Sequence, residues 1–261
     1  MKVIALDQTD STNSWVAANR ETLDLPTLVF ARRQTAGRGQ RGNSWESQPG
    51  CNLCASAFFS PEGIRPHMQF AVSEAVALAV VDLLQEYGVE SKVKWPNDIY
   101  VGDRKICGIL IEHAVTPGRI LYTIAGMGVN LNQRQFLSDA PNPVSLSQIT
   151  GREYDVDESA LLLAAMLEAR LHRICRDSEE EVAAGCAAQH NEFLGKLWRG
   201  NGELYPFTDR LRGERIEARI KDIAPDGIIT LSLADGEERS YAFKEIEFIL
   251  PTTLTPTLPA L

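Results

Sequence analysis

The sequence is poor in the residues that build metal centres and disulfide frameworks. Five cysteines in 261 residues is a sparse, odd count, which fits a reducing compartment better than a stapled secreted domain. Cys51 and Cys54 form one C-x-x-C, but no second pair or nearby histidine completes a zinc set. The strand-like run from Asn52 to Phe59 puts their sulfurs on opposite faces. The four histidines are scattered, with no triad or ligand spacing. Apolar runs such as Ala75 to Val81 are far too short to cross a bilayer, and Asp7 interrupts the first apolar residues before a signal-peptide core can form. A cytoplasmic protein without membrane association is expected.

Positive charge is also in deficit: 26 Lys and Arg against 35 Asp and Glu leave a net charge of −9. That balance argues against a nucleic-acid surface spread over the molecule, and no basic stretch carries the interleaved aromatics of a single-strand binder. With 44% hydrophobic residues, the chain can bury one large core and a second, smaller one.

What is present begins between Gln34 and Trp45, where three glycines alternate with Arg38 and Arg41. Gly37, Gly39 and Gly42 satisfy G-x-G-x-x-G after a strand-like Leu28 to Ala31. A dinucleotide fold needs a helix to start here, whereas Asn43 to Gly50 carries helix-poor residues and ends in Pro-Gly. Gly37 and Gly42 also have P-loop spacing, but Asn43 stands where the phosphate lysine belongs. What is left is a Gly/Arg loop able to wrap an anion, with a surface loop or an RNA-binding turn as alternatives.

Residues 1 to about 190 alternate strands and helices. Ser11 or Thr12 caps a helix toward Arg20, and a long, deeply packed helix covers Pro66 to Tyr87. Strands are predicted near Val93, over Ile99 to Val101, Lys105 to His113 and Ile120 to Val129. Helices follow over Asp157 to Arg176 and Glu179 to Glu192. From Trp198 short strands alternate with turns at Arg212-Gly213, Pro225-Asp226-Gly227 and Asp235-Gly236, which predicts a small β-barrel-like module over 196–250. A Pro/Thr-rich tail over 251–261 is expected to be flexible.

Two further blocks carry chemistry. Lys94-Trp95-Pro96-Asn97-Asp98 is a rigid turn, followed by a Gly102-Asp103 hairpin and a strand, apolar from Ile106 to Ile111, expected to be covered on both faces. Lys105 stands at its mouth, where an anion or an ordinary strand end are alternatives. Asn97 suits nucleotide reading, and Asp98 suits either magnesium or a turn cap. In Gly126-Met127-Gly128-Val129-Asn130, two strand glycines point to close approach of a ligand or another backbone, or to a bulge.

Taken in order, Asp10-Ser11-Thr12-Asn13, Gly37-Arg38-Gly39-x-x-Gly42-x-x-Trp45, Lys94-Trp95-Pro96-Asn97-Asp98, Arg104-Lys105-x-x-Gly108-Ile109-Leu110-x-Glu112 and Gly126-x-Gly128-Val129-Asn130-x-Asn132 resemble the biotin–protein ligases. The resemblance implies an α+β mixed-sheet catalytic domain over 1–195 with a small SH3-like barrel after it. It implies ATP-dependent formation of biotinyl-5′-adenylate, with Mg²⁺, then transfer of biotin to a lysine of a biotin carboxyl carrier protein. By resemblance Arg38 and Lys105 are catalytic. Ser11, Thr12, Asn13, Gln34, Arg38, Gly39, Gln40, Lys105, Gly108 and Leu110 bind biotin, and Gly37, Arg38, Trp45, Lys94, Asn97, Lys105 and Asn130 bind ATP. No metal ligand is assigned, and a homodimer is compatible with the family.

The chain departs from the family pattern where Gln40 and Asn43 replace arginines of the commonest loop, which predicts looser retention of the adenylate. Some relatives place a helix-turn-helix before the catalytic domain; here the first motif begins at Asp10, so an enzyme without DNA binding or repressor activity is expected. The rival expectations are a lipoate or octanoate ligase of the same fold and a non-catalytic biotin or nucleotide sensor.

Overall fold

The computed structural model describes residues 1–138 and 141–250; the expected 251–261 tail and the side chain of Arg41 lie outside the described residues. In chain order the first part comprises β1 (Lys2–Leu6), α1 (Thr12–Asn19), β2 (Thr27–Ala31), β3 (Leu53–Phe59), α2 (Phe70–Glu86), β4 (Lys92–Lys94), β5 (Asp98–Val101), β6 (Arg104–Thr116), β7 (Arg119–Val129), α3 (Leu146–Thr150), α4 (Val156–Ile174) and α5 (Glu179–Gly195). A second part adds β8 (Tyr205–Asp209), β9 (Glu214–Ile223), β10 (Ile229–Leu233), β11 (Glu238–Tyr241) and β12 (Ile246–Phe248).

Seven strands form one mixed sheet in the order β1-β2-β3-β7-β6-β5-β4, parallel only between β1 and β2. The α2 helix is apolar on nearly every side because it is covered on nearly every side: α4, α5 and the sheet enclose it. By length and composition the Pro66–Glu86 segment is apolar enough to cross a membrane. Its burial instead makes it the deeply packed helix expected from apolar residues on most of its faces, although the α-helix itself starts at Phe70, after a 3₁₀ turn over Pro66–Met68.

The second face of the sheet is covered unequally. The eight-residue α1 packs on β2, β3 and β7, with Val16 against Val29, Phe58 and Ile124. Farther along, β6 and β7 show a period of two: Cys107, Ile109, Ala125 and Met127 are buried, whereas Gly108, Leu110, Gly126 and Gly128 are only half-buried. The uninterrupted apolar run of β6 is therefore not covered on both faces, contrary to expectation. One face meets the α2 layer, and the other is the floor of a cleft, because α1 is too short to reach it.

The second sheet, ordered β11-β10-β9-β8-β12, is antiparallel throughout. It docks against the first part through Trp95, whose indole N–H donates to the Gly227 carbonyl at 3.1 Å. Trp198 continues the seam, stacked between Tyr100 and Phe248 at 5.2 and 5.7 Å.

Three local readings change. Cys51 lies in a turn before β3, so strand alternation does not govern it; both it and Cys54 are free thiols. The α4 helix ends at Ile174, two residues before Arg176. The α3 helix is additional. It carries a Ser145–Gln148 capping box and a left-handed Gly151 at its end, both legible signals on an element of only five residues.

Candidate active site

The floor is built from glycines because side chains of this same chain lie on it. A Cβ at Gly126 would collide with the Asn13 amide, one at Gly128 with the Trp45 indole, and one at Gly108 would come within 2.9 Å of the same ring. The close approach at Gly126 and Gly128 is thus made by the side chains of Asn13 and Trp45, rather than by the ligand or backbone expected. Above the floor opens a cleft of about 1180 Å³.

One end of the cleft is a buried polar relay. Gln34 Oε1 accepts from the Thr12 N–H at 2.8 Å and from its hydroxyl at 3.2 Å. Ser56 Oγ lies 2.7 Å from Thr12 Oγ1 and 2.6 Å from Asn13 Oδ1. Asn13 Nδ2 donates to Glu112 at 2.8 Å and to the Leu110 carbonyl at 3.3 Å. Glu112 in turn holds Arg38 Nη2 at 2.8 Å. Ser11 forms the N-terminal boundary of α1, and its hydroxyl makes no cap bond. These hydroxyls and amides are fixed donors and acceptors at the bottom of the cleft.

The other end is cationic and aromatic. Lys105 Nζ pairs with Asp98 at 2.7 Å, both about one-fifth to one-quarter exposed, and lies 5.7 Å from the centre of the Trp45 ring. Asp98, open between magnesium and a turn cap in the sequence, is the counter-ion of Lys105. Lys94 places its amine over Tyr100 and Phe248, at 5.5 and 5.2 Å. Burial pushes its pKa below the usual lysine value. Asn97 ties the Lys94–Asp98 turn, whose Trp95–Pro96 peptide is cis, to β6 by donating to the Ile109 carbonyl. Asn130 donates to the Val144 carbonyl at 3.1 Å, while its Oδ1 is buried with no partner, as is Trp45 Nε1.

The glycine-rich loop contains only a short 3₁₀ turn, Gln40–Gly42, and no α-helix, as its residues predict. Gly37 is pinned by the Trp45 N–H donating to its carbonyl at 2.9 Å. Next to Trp45, Glu46 accepts from the backbone N–H groups of Leu137 and Ser138 and from Gln133 Nε2, at 2.7 to 3.0 Å. This carboxylate fastens the 133–138 segment, with Phe136 on the cleft wall, to the loop.

A family model described as "Biotin/lipoate A/B protein ligase family" matches residues 5–130. The biotin--[acetyl-CoA-carboxylase] ligase of Paracoccus denitrificans is 33% identical over 166 residues, 61% of this chain and 68% of that protein. The chain belongs to the biotin/lipoate A/B protein ligase family. It is also 32% identical to the bifunctional ligase/repressor BirA of Escherichia coli over 183 residues, 70% of this chain but only 56% of that one. The chain thus spans just over half the length of that relative. Among solved structures, the biotin protein ligase from Aquifex aeolicus in complex with biotin and ATP superposes with a TM-score of 0.75 at 23% identity, covering 96% of this chain and 99% of that one. That likeness establishes the fold across both sheets, the large mixed one and the small SH3-like one.

Of the residues singled out by resemblance to the family, Ser11, Thr12, Asn13, Gln34, Arg38, Gly39, Gln40, Trp45, Lys94, Asn97, Lys105, Gly108, Leu110 and Asn130 all line the one cleft. Gly37 does not; it stands behind the wall, where a Cβ would strike the Trp45 carbonyl. Sequence reasoning missed Ser56, the hydroxyl that joins Thr12 to Asn13. Its signal was a lone polar residue in an otherwise apolar strand. It also missed the wall contributed by the second sheet, including Arg210, Phe243, Lys244 and Phe248, which lie about a hundred residues beyond the motifs. Among the described residues no three His, Cys, Asp or Glu side chains converge as a metal cage, and Asp98 is already committed to Lys105. The described residues therefore offer Mg²⁺ no ready-made protein cage.

Proposed function

We propose that this chain joins biotin to ATP as biotinyl-5′-adenylate and then passes the biotinyl group to a lysine of a biotin carboxyl carrier protein. The observation that carries this reading is one cleft with a fixed polar relay at one end and paired cations beside an aromatic ring at the other. The relay of Thr12, Gln34 and Asn13 matches the donors and acceptors of a ureido ring. Trp45, with Asn130, suits a purine at the opposite end.

The reacting groups meet between them. A carboxylate oxygen of biotin forms a bond to the α-phosphorus of ATP, and the bond from that phosphorus to the bridging oxygen breaks, releasing pyrophosphate with the electron pair. Both reactants are anions, so cations must stand between them before attack. Lys105 and Arg38 fill that role, exchanging Asp98 and Glu112 for substrate oxygens. The amine of the carrier lysine then attacks the acyl carbon and AMP leaves. The Gly37–Trp45 loop, fastened by Glu46 to 133–138, shields the mixed anhydride from water. The residues account for neutralisation and positioning; any Mg²⁺ arrives with the nucleotide phosphates. Such chemistry belongs in the cytoplasm, where ATP and the carrier are found.

The test is to incubate the purified protein with ATP, Mg²⁺, biotin and a carrier domain and to weigh the carrier by mass spectrometry. A mass gain of one biotinyl group supports the proposal. Exchange of pyrophosphate into ATP driven by lipoate or octanoate instead of biotin would assign the sister activity, and binding of biotin without exchange would leave a sensor.

A further inference from the structure

Five cationic side chains described in this structure line the cleft: Arg38, Lys94, Lys105, Arg210 and Lys244. Three are neutralised by carboxylates of the same chain, Arg38 by Glu112, Lys105 by Asp98 and Arg210 by Glu247. Among the described residues neither Lys94 nor Lys244 has a carboxylate within ion-pair distance, although Asp98 and Glu247 act on Lys94 from farther off. Lys94 stands on the catalytic sheet, whereas Lys244 is offered from the second sheet, in the turn between β11 and β12.

The backbone of Lys244 is as informative as its charge. It adopts φ +76°, one of three non-glycine residues at positive φ among those described, with Asn142 and Arg199. Asparagine tolerates this region. Arg199 is held there by stacking on Trp198 and Tyr205 and by donating to the Ile249 carbonyl. Lys244 has neither excuse: its amine reaches only the Phe243 ring, 5.9 Å from the centroid. The turn itself is held by its neighbour Glu245, which accepts from the Ala242 N–H at 2.7 Å and whose carbonyl accepts from the Arg210 N–H at 2.8 Å. Glycine would serve that backbone without strain. A lysine kept where glycine is easier, exposed, unpaired and turned toward a cleft that must take up a polyphosphate, is the arrangement expected when strain is retained for a ligand contact.

We propose that Lys244 is the second sheet's contact to the pyrophosphate end of the nucleotide. This rests on the ATP-dependent activation proposed above. The α-phosphorus and the acid react at Lys105, and the leaving pyrophosphate carries its charge toward the seam, where Lys94 and Lys244 face it with neither amine tied up in an ion pair.

The experiment is biotin-dependent pyrophosphate exchange and thermal melting of the full chain with Lys244→Gly, Lys244→Gln and Lys244→Arg. Lys244→Gly relieves the strained turn and should melt about 2 °C higher, yet its KM for ATP and for pyrophosphate should rise about tenfold, the loss of one charge-assisted contact. Its KM for biotin should not change. Lys244→Gln should show the same KM increases without the gain in melting temperature, and Lys244→Arg should retain wild-type constants. A purely local turn predicts the higher melting temperature with wild-type KM values in both charge-removing variants, and that result would overturn the role of Lys244 alone. Absence of exchange in the wild-type chain would overturn the activation reading and this role together.

Discussion

Gly126→Ala should disable the polar end of the cleft from a distance of one methyl group. The new Cβ would fall on the amide of Asn13. That side chain cannot swing aside, because it is 3% exposed and held by Ser56 at 2.6 Å and by Glu112 at 2.8 Å. Displacing it breaks two neutral hydrogen bonds, to Ser56 and to the Leu110 carbonyl, worth about 1 kcal/mol or less each, and one to a carboxylate, worth about 1.5 to 3 kcal/mol. The bonds share a network, so the expected loss is about 3 kcal/mol, at the upper end of ordinary overpacking. Urea denaturation reads the stability, and calorimetric titration with biotin reads the site, where affinity should fall with it. Gly195→Ala is the matched control. It ends α5 with nothing within 4 Å of the added Cβ, and should be neutral or stabilising by up to about 1 kcal/mol. If Gly126→Ala unfolds within about 0.5 kcal/mol of wild type and binds biotin equally well, the relay is softer than its geometry states and the reasoning fails.

Three further outcomes follow from the same site. Lys105→Met should lower biotin-dependent pyrophosphate exchange by about 10²- to 10³-fold while the circular dichroism spectrum is retained; near-wild-type exchange would remove Lys105 from the chemistry. Gln40→Arg should slow the escape of radiolabelled biotinyl-adenylate from the enzyme about tenfold by adding one charge-assisted contact, and equal dissociation rates would refute the looser retention expected of this loop. Burial pushes the Glu46 carboxyl up, but the N–H groups of Leu137 and Ser138 with Gln133 outweigh it and hold the pKa below the ordinary 4.5. The stability Glu46 contributes is therefore complete above that value and is lost as pH falls through the lowered folded pKa. Melting curves of Glu46→Gln should lack this part of the acid-side decline, and identical pH profiles would show that the carboxylate is not what fastens the two segments.

Local pattern made several parts of this molecule legible in advance. The long apolar run from Phe70 to Leu84 placed α2, and the Gly102-Asp103 turn placed the β5–β6 hairpin. The Asn43–Gly50 stretch excluded a phosphate-binding helix after the glycines. Each depends on interactions within a few residues, so sequence spacing suffices. The resemblance to biotin–protein ligases did more for the site than periodicity did, since Lys105 or Gly126 alone is as readily a strand end or a bulge.

What the amino-acid order determined by itself is the set of short-range choices: which segments bury a face and where turns must fall. Only the tertiary fold decided that one face of β6 stays open, because the length of α1 relative to the sheet sets how far it is covered. Only the fold brought Ser56 between Thr12 and Asn13, gave Asp98 and Glu112 to Lys105 and Arg38 as counter-ions, and carried Lys244 across the seam. Apart from Asp98 and Lys105, which face each other across one hairpin, these residues are tens of positions or more apart in the chain, and their geometry is fixed by sheet order and packing, which no local spacing encodes.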